Sequence, residues 1–222
     1  VFSIVNSYNN EKMFFADFVV LVEGVSDRIL FEALLEDKFA KTGKTVEIVP
    51  VGGKMMFDNY TKMLDASAVP WAIIADRDYG ANVGASSIKA LFEVDARKIR
   101  MDLVDPTSLD GASLVAEMHK AVNGEANALP EILAYVENRR QRIIDDPTPV
   151  QLAKFKGFIL RKRKTGVFIL QKGSLEKYLP EGHSGKNIDK LIGFVATSGW
   201  QKALRHAREL NEIAKAILRR IG

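Results

Sequence analysis

Two apolar runs that end in acids constrain this chain more than any other feature. Phe18-Val19-Val20-Leu21-Val22 runs directly into Glu23-Gly24-Val25-Ser26-Asp27, and Trp71-Ala72-Ile73-Ile74-Ala75 runs into Asp76-Arg77-Asp78. A short run with no polar alternation has no face to offer water. As a strand it must be covered on both sides, which is the situation of a central strand in a parallel sheet. If the two strands are neighbours, Glu23, Asp27, Asp76 and Asp78 meet at one sheet edge. Carboxylates that close together cannot all be ionised near neutral pH without a compensating charge. An all-oxygen donor set at a strand end suits Mg²⁺ or Mn²⁺, which leave coordination positions for water and phosphate.

The residues between these runs supply crossovers. After Gly24 the apolar period lengthens, and Ile29, Leu30, Ala33, Leu34 and Phe39 mark one face of a helix, with Ser26 placed to cap it. Its positive end faces the acids and any phosphate bound beside them. Thr42-Gly43-Lys44 closes it, Val46–Val51 reads as a strand, and Gly52-Gly53-Lys54 turns into a helix from about Met56 to Leu64. Ahead of the first strand, Met13-Phe14-Phe15 is a hydrophobic lead-in. The order β-α-β-α-β predicts parallel strands joined by right-handed crossovers, with ligands at the carboxyl ends.

Tyr79–Ser87 is loop-like in composition, and a helix near 87–93 and a short strand near 99–104 come next. Three helices are then expected: 111–122 capped by Asp110, 129–144 opened by Asn127 with Pro130, and 149–162 opened by Thr148 with Pro149. Strand character returns at Gly166–Leu170. Ser174 is placed to cap a helix carrying Glu176, a fifth acid beside a strand end. His183 and Lys186 lie on the glycine-containing loop after it, and His183 reads as a surface residue. A last helix from about Ser198 carries an apolar stripe of Trp200, Leu204, Ala207, Leu210, Ala214, Ile217 and Ile221, its other face basic.

Composition narrows the function classes. The 222 residues hold no cysteine, which excludes a disulfide framework, a thiolate nucleophile and a cysteine zinc site. No apolar run reaches the length of a membrane span, and a soluble cytoplasmic protein is expected. The net charge of +4 admits a polyanionic partner, with basic residues gathered at Arg139-Arg140, Arg161-Lys162-Arg163-Lys164 and Arg219-Arg220.

Glu-Gly after one buried strand and Asp-x-Asp after a second resembles the Toprim fold. Leu21–Asp27, Gly52-Gly53-Lys54 and Leu175-Glu176 together look most like the OLD (overcoming lysogenization defect) nucleases. The resemblance spans roughly residues 12–80 and 164–190. It implies an α/β fold with a Toprim-like parallel sheet flanked by helices and an inserted or appended helical subdomain. The catalytic domain then comprises 12–105 and 164–190, and 106–163 forms the helical insertion. The C-terminal helix, 198–221, packs on that insertion or on the sheet.

The implied activity is cleavage of DNA phosphodiesters with two divalent cations, Mg²⁺ or Mn²⁺, Ca²⁺ being a non-catalytic substitute. Glu23, Asp27, Asp76, Asp78 and Glu176 match the metal-binding acids, with Glu23 and Asp78 catalytic. A lysine near the scissile phosphate neutralises developing charge. Lys186 is the first choice and Lys172 and Lys54 are alternatives. Lys54 and Arg161, Lys162, Arg163 and Lys164 are candidates for contact with the DNA backbone. OLD proteins carry an N-terminal ATPase domain, and this chain, which opens on Val1 and has no Walker loop, reads as the nuclease half, oligomerising through the missing part. Two other readings stand beside it: a primase- or topoisomerase-like Toprim enzyme, and a non-catalytic DNA-binding or assembly module. Tyr79, beside the acids, is the residue a covalent topoisomerase-like mechanism would call on.

Overall fold

A computed structural model describes residues 10–92, 112–138, 147–183, 185 and 187–222. Four strands, β1 (Phe18–Val22), β2 (Val46–Pro50), β3 (Trp71–Ala75) and β4 (Val167–Ile169), form one sheet in the order β2-β1-β3-β4. Among the described residues all pairings are parallel. The fold is α/β, a parallel sheet flanked by helices, as the two acid-terminated runs require. Register sets where the strands end relative to one another: Val22 lies opposite both Pro50 and Ile74. The residues after these strands, Glu23 and Asp76 among them, therefore leave the sheet along one edge.

Helix α1 (Val25–Phe39) comes after β1 and α2 (Phe57–Ala66) after β2. Beyond β3 lie two single helical turns, Gly80–Val83 and Ser86–Lys89, and then α3 (Ala112–Val122), α4 (Ala128–Asn138) and α5 (Pro149–Lys164). Beyond β4 lie α6 (Ile188–Val195) and α7 (Ala207–Ile221). Alternate strand residues divide between two cores. Val20 and Val22 pack with Leu30, Phe31 and Leu34 of α1, Leu191 of α6 and Leu210, Ile213 and Ile217 of α7. Val19 and Leu21 pack with Phe57, Tyr60 and Leu64 of α2 and Phe155, Phe158 and Ile159 of α5. Each face thus buries its own set of large side chains, each worth roughly 1.5–3 kcal/mol when fully removed from water.

Several local expectations are met and others are corrected. Thr148 caps α5: its Oγ1 accepts from the Gln151 N–H at 3.3 Å, and Gln151 Oε1 accepts from the Thr148 N–H at 2.7 Å. Gly43 ends the α1 region in the left-handed conformation, φ 67°. Ser26, by contrast, does not cap α1. Gly24 holds the cap position, its N–H is taken by Asp27 Oδ2 at 3.0 Å, and Ser26 Oγ donates to the Gly185 carbonyl.

The C-terminal helix starts at Ala207 rather than near Ser198. A 3-10 turn, Trp200–Ala203, precedes it, Leu204 is extended and His206 is left-handed at φ 52°, with the Arg205 N–H bonded to the Tyr178 carbonyl. Tertiary pairing with Tyr178 outweighs the helical periodicity there. The segment near 87–93 is the turn Ser86–Lys89 and then a 3-10 turn, Ala90–Phe92. Glu176 sits on a 3-10 turn, Leu175–Lys177, and not on a longer helix. The expected strand at 99–104, the cap at Asp110 and residues 139–144 of the second insertion helix lie outside the described residues.

Candidate metal centre

The site is assembled by backbone hydrogen bonds before any side chain acts. The Glu23 carbonyl accepts from the N–H groups of Gly52 and Gly53 at 3.1 and 3.0 Å, which ties the β1 edge to the turn after β2. Gly52 and Gly53 have φ of 81° and 127°, conformations that side chains resist, so the glycine pair is what lets the turn fold back here. The turn delivers Lys54, whose Nζ lies 2.7 Å from Asp78 Oδ2. On the other side of β3, the Arg77 N–H bonds the Gly173 carbonyl at 3.1 Å and joins the β4 loop to the Asp-x-Asp turn.

Glu23, Asp76 and Asp78 converge: one carboxylate oxygen from each lies within 4.8 Å of the others. Glu23 Oε2, Asp76 Oδ1 and Asp78 Oδ1 are buried and accept no hydrogen bond. A buried acceptor without a donor is costly, and three on one spot call for a cation. The donor set is all oxygen, so it fits a hard divalent ion.

Electrostatics extend the group beyond these three. Burial, and after it the charges of Asp27, Glu23, Asp78 and Glu176, together push the Asp76 carboxyl up to about 8. Burial likewise lifts Asp27 to about 7, against the Gly24 hydrogen bond that lowers it and with Glu23 and Glu176 adding to the rise. Glu23 is raised by burial and by Asp78, with Lys54 pulling the other way. All five acids named from the sequence thus share one field, although Asp27 and Glu176 stand outside the close triad. Glu176 is occupied locally, accepting from Ser174 Oγ at 2.5 Å, and a Cβ on Gly185 would lie 3.2 Å from its Oε1.

Residues 14–78 match the family model of the overcoming lysogenization defect protein-like TOPRIM domain. The resemblance read from the residues holds over that segment, which contains Glu23, Asp27, Asp76 and Asp78. Toprim domains bind divalent metals, and the segment that matches their model presents, in this chain, a Glu/Asp/Asp group able to do so. Among solved structures, the C-terminal region of the Xanthomonas campestris pv. campestris OLD protein is 15% identical, with 94% of this chain and 85% of that one covered and a TM-score of 0.35. The C-terminal region of the Burkholderia pseudomallei OLD protein is 16% identical over 92% and 88%, with a TM-score of 0.34. At that identity and score neither likeness bears on function. No curated protein matches the sequence.

The remaining site candidates differ in how near they come to the acids. Lys54 reaches Asp78 of the acidic group, Lys172 is exposed, and Lys186 lies outside the described residues. In the basic run, Arg161 and Lys164 are exposed, while Lys162 Nζ lies 5.8 Å from the Phe158 ring centre. Arg163 turns inward, its Nη2 3.7 Å from Glu209 Oε1. Arg77 does not pair with the acids that flank it; its guanidinium lies 5.7 Å from the Phe155 ring centre. Tyr79 is buried edge-on to Phe57 at 5.0 Å, a packing position rather than that of an accessible nucleophile.

Sequence reasoning missed two groupings. Glu209 is enclosed by the Gln171 N–H, the Tyr178 hydroxyl and Arg163. His183, Phe194 and Trp200 line one groove. Neither has a local signature, because the partners lie far apart along the chain. Among the described residues, no helix is long and apolar enough to cross a membrane.

Proposed function

We propose that this Toprim nuclease-type module is a metal-dependent DNA nuclease that hydrolyses phosphodiester bonds, the catalytic half of an ATPase-nuclease. The observation that carries the reading is the convergence of three buried, undonated carboxylate oxygens at the carboxyl edge of a parallel sheet. Glu23, Asp76 and Asp78 would hold one divalent cation, Mg²⁺ or Mn²⁺. Asp27 and Glu176, coupled to the triad by charge, would help to hold a second. Bound divalent cations polarise the phosphoryl oxygens and lower the pKa of a bound water.

The chain's own residues do the rest. Lys54, held by Asp78, places a positive charge at the edge of the acids, where it offsets charge developing on a phosphodiester. Lys186 remains the first choice from the sequence for the lysine nearest the scissile phosphate, with Lys172 and Lys54 as alternatives. Asp27 fixes the first turn of α1, so the helix's N-terminal end faces the same edge and favours a phosphate there. Arg161 and Lys164, exposed at the end of α5, would meet the DNA backbone, with Lys162 beside them, whereas Arg163 turns inward to Glu209. The catalytic unit comprises 12–105 and 164–190, with 106–163 inserted and 198–221 appended. The whole acts in the cytoplasm and oligomerises through its ATPase portion.

The test is cleavage of plasmid and linear DNA with Mg²⁺ or Mn²⁺. Glu23→Ala and Asp78→Ala should each reduce cleavage to the metal-free background while circular dichroism shows an intact fold. Undiminished cleavage by either folded variant would end the reading.

A further inference from the structure

The loop that lies against the acids also leads into a groove of different character. Gly185 is the point of contact: its carbonyl accepts from Ser26 Oγ, and a Cβ there would crowd Glu176. His183 is two residues away, so its Cα lies within roughly 7 Å of the Gly185 Cα. From His183 a row of rings runs outward. His183 and Phe194 have ring centres 4.8 Å apart at 53°, and Phe194 and Trp200 are 5.7 Å apart at 74°. Phe194 is buried as the floor, while His183 and Trp200 are half-buried and keep ring surface open.

The groove they line measures about 470 Å³, and Lys190, Thr197 and Ser198 stand on its walls. Gly199 is left-handed at φ 73° and turns the chain after α6 so that Trp200 packs edge-on to Phe194. Rings with open faces, a lysine and hydroxyls form the surface that a flat, hydrogen-bonding group attached to an anion would fit. Unstacked nucleobases on a phosphate backbone have that chemistry, and stacking on aromatic side chains accepts any base.

We infer that the His183–Phe194–Trp200 groove binds an unpaired base of the DNA strand that the acidic site cuts, so that the substrate is single-stranded or frayed beside the scissile bond. The inference rests on the nuclease reading for its strand. It adds that the strand must be unpaired next to the cut. Lys190 meets the phosphate of the stacked nucleotide, and Gly185, which lies against Ser26 and Glu176, sets how near the stacked base stands to the acids.

The chain has two tryptophans, and Trp71 begins β3 at the opposite edge of the sheet. A Trp71→Phe background therefore makes Trp200 the reporter. Titration with a short oligothymidylate in Ca²⁺ should quench its fluorescence saturably, and a closed hairpin duplex without a tail should not. Measured by anisotropy of labelled oligothymidylate, Trp200→Ala and His183→Ala should bind about ten- to a hundredfold more weakly, with Trp200→Phe within a few-fold of the parent.

Absence of quenching, equal quenching by the closed hairpin, or unchanged affinity in Trp200→Ala would overturn the inference. So would a Trp200 signal that changes with protein concentration alone, which would place a second copy in the groove. Cleavage assays on the same proteins separate the two claims. Metal-dependent cutting without Trp200 quenching sinks the groove alone, and quenching by a protein that cuts nothing sinks the nuclease reading and the link to a cut, leaving only a groove for unpaired bases.

Discussion

Glu209 and Asp76 are both carboxylates drawn out of water, and the molecule treats them in opposite ways. Glu209 opens α7, where the helix N-terminus favours a negative charge. Its Oε1 accepts from the Gln171 N–H and its Oε2 from the Tyr178 hydroxyl, each at 2.8 Å, and Arg163 stands 3.7 Å away. The Tyr178 hydroxyl, held as a proton donor by burial and by Glu209, itself accepts from the Lys172 N–H. Asp76 has carboxylates for neighbours and an oxygen with no donor. The first arrangement completes a fold. The second holds an unfavourable free energy that a bound proton or cation relieves, and it marks the site more surely than the number of acids does.

The comparison is broken most severely by substituting its two members. Glu209→Gln should destabilise the protein by about 3 kcal/mol in urea titrations, because Arg163 is left buried without its counter-charge. Asp76→Asn should have the opposite sign in metal-free buffer at pH 8, a gain of about 1 kcal/mol, since it removes one of several repelling charges. Two losses of equal size would mean that Asp76 has donors after all.

A sharper test is the dependence on pH. Asp27 and Asp76 release their protons near 3.8 when unfolded and at about 7 and about 8 when folded. Between those values the folded state keeps protons that the unfolded state has lost, so raising the pH favours unfolding. The metal-free melting temperature should therefore fall from pH 5 to pH 8, and Mn²⁺ should raise it more at pH 8 than at pH 6. A metal-free melting temperature that stays level across the window would contradict the account of buried, undonated acids.

The smallest expected effect is at Lys54. Lys54→Met removes a partly exposed pair with Asp78, which contributes up to about 1 kcal/mol to stability. The informative readout is calorimetric titration with Mn²⁺. Binding should tighten severalfold as the competing charge leaves, while cleavage falls. Weaker binding would show Lys54 to be a support for the acids and not a charge poised against phosphate.

Much of the fold was legible in the sequence. The β1 and β3 runs have no polar alternation, so burial on both faces was the only arrangement open to them, and parallel pairing carried Glu23 and Asp76 to one edge. The glycines at 52 and 53 likewise announced a turn that other residues resist. The breaks in legibility share a cause. Ser26 looked like a cap because cap preference is local, yet the Gly185 carbonyl claims its hydroxyl and Asp27 takes the Gly24 N–H. The stripe from Trp200 looked like one helix, yet the Tyr178 carbonyl claims the Arg205 N–H and bends the chain. Arg163 read as part of a solvated basic run and turns inward to Glu209.

The sequence by itself determined the parallel sheet and the acids at its edge, because strand burial and side-chain period are properties of contiguous residues. Tertiary structure alone decided which acids converge, which lysine touches them and which arginine turns into the core. Those are contacts between residues distant in the chain, where the choice among many chemically equivalent partners is made by packing.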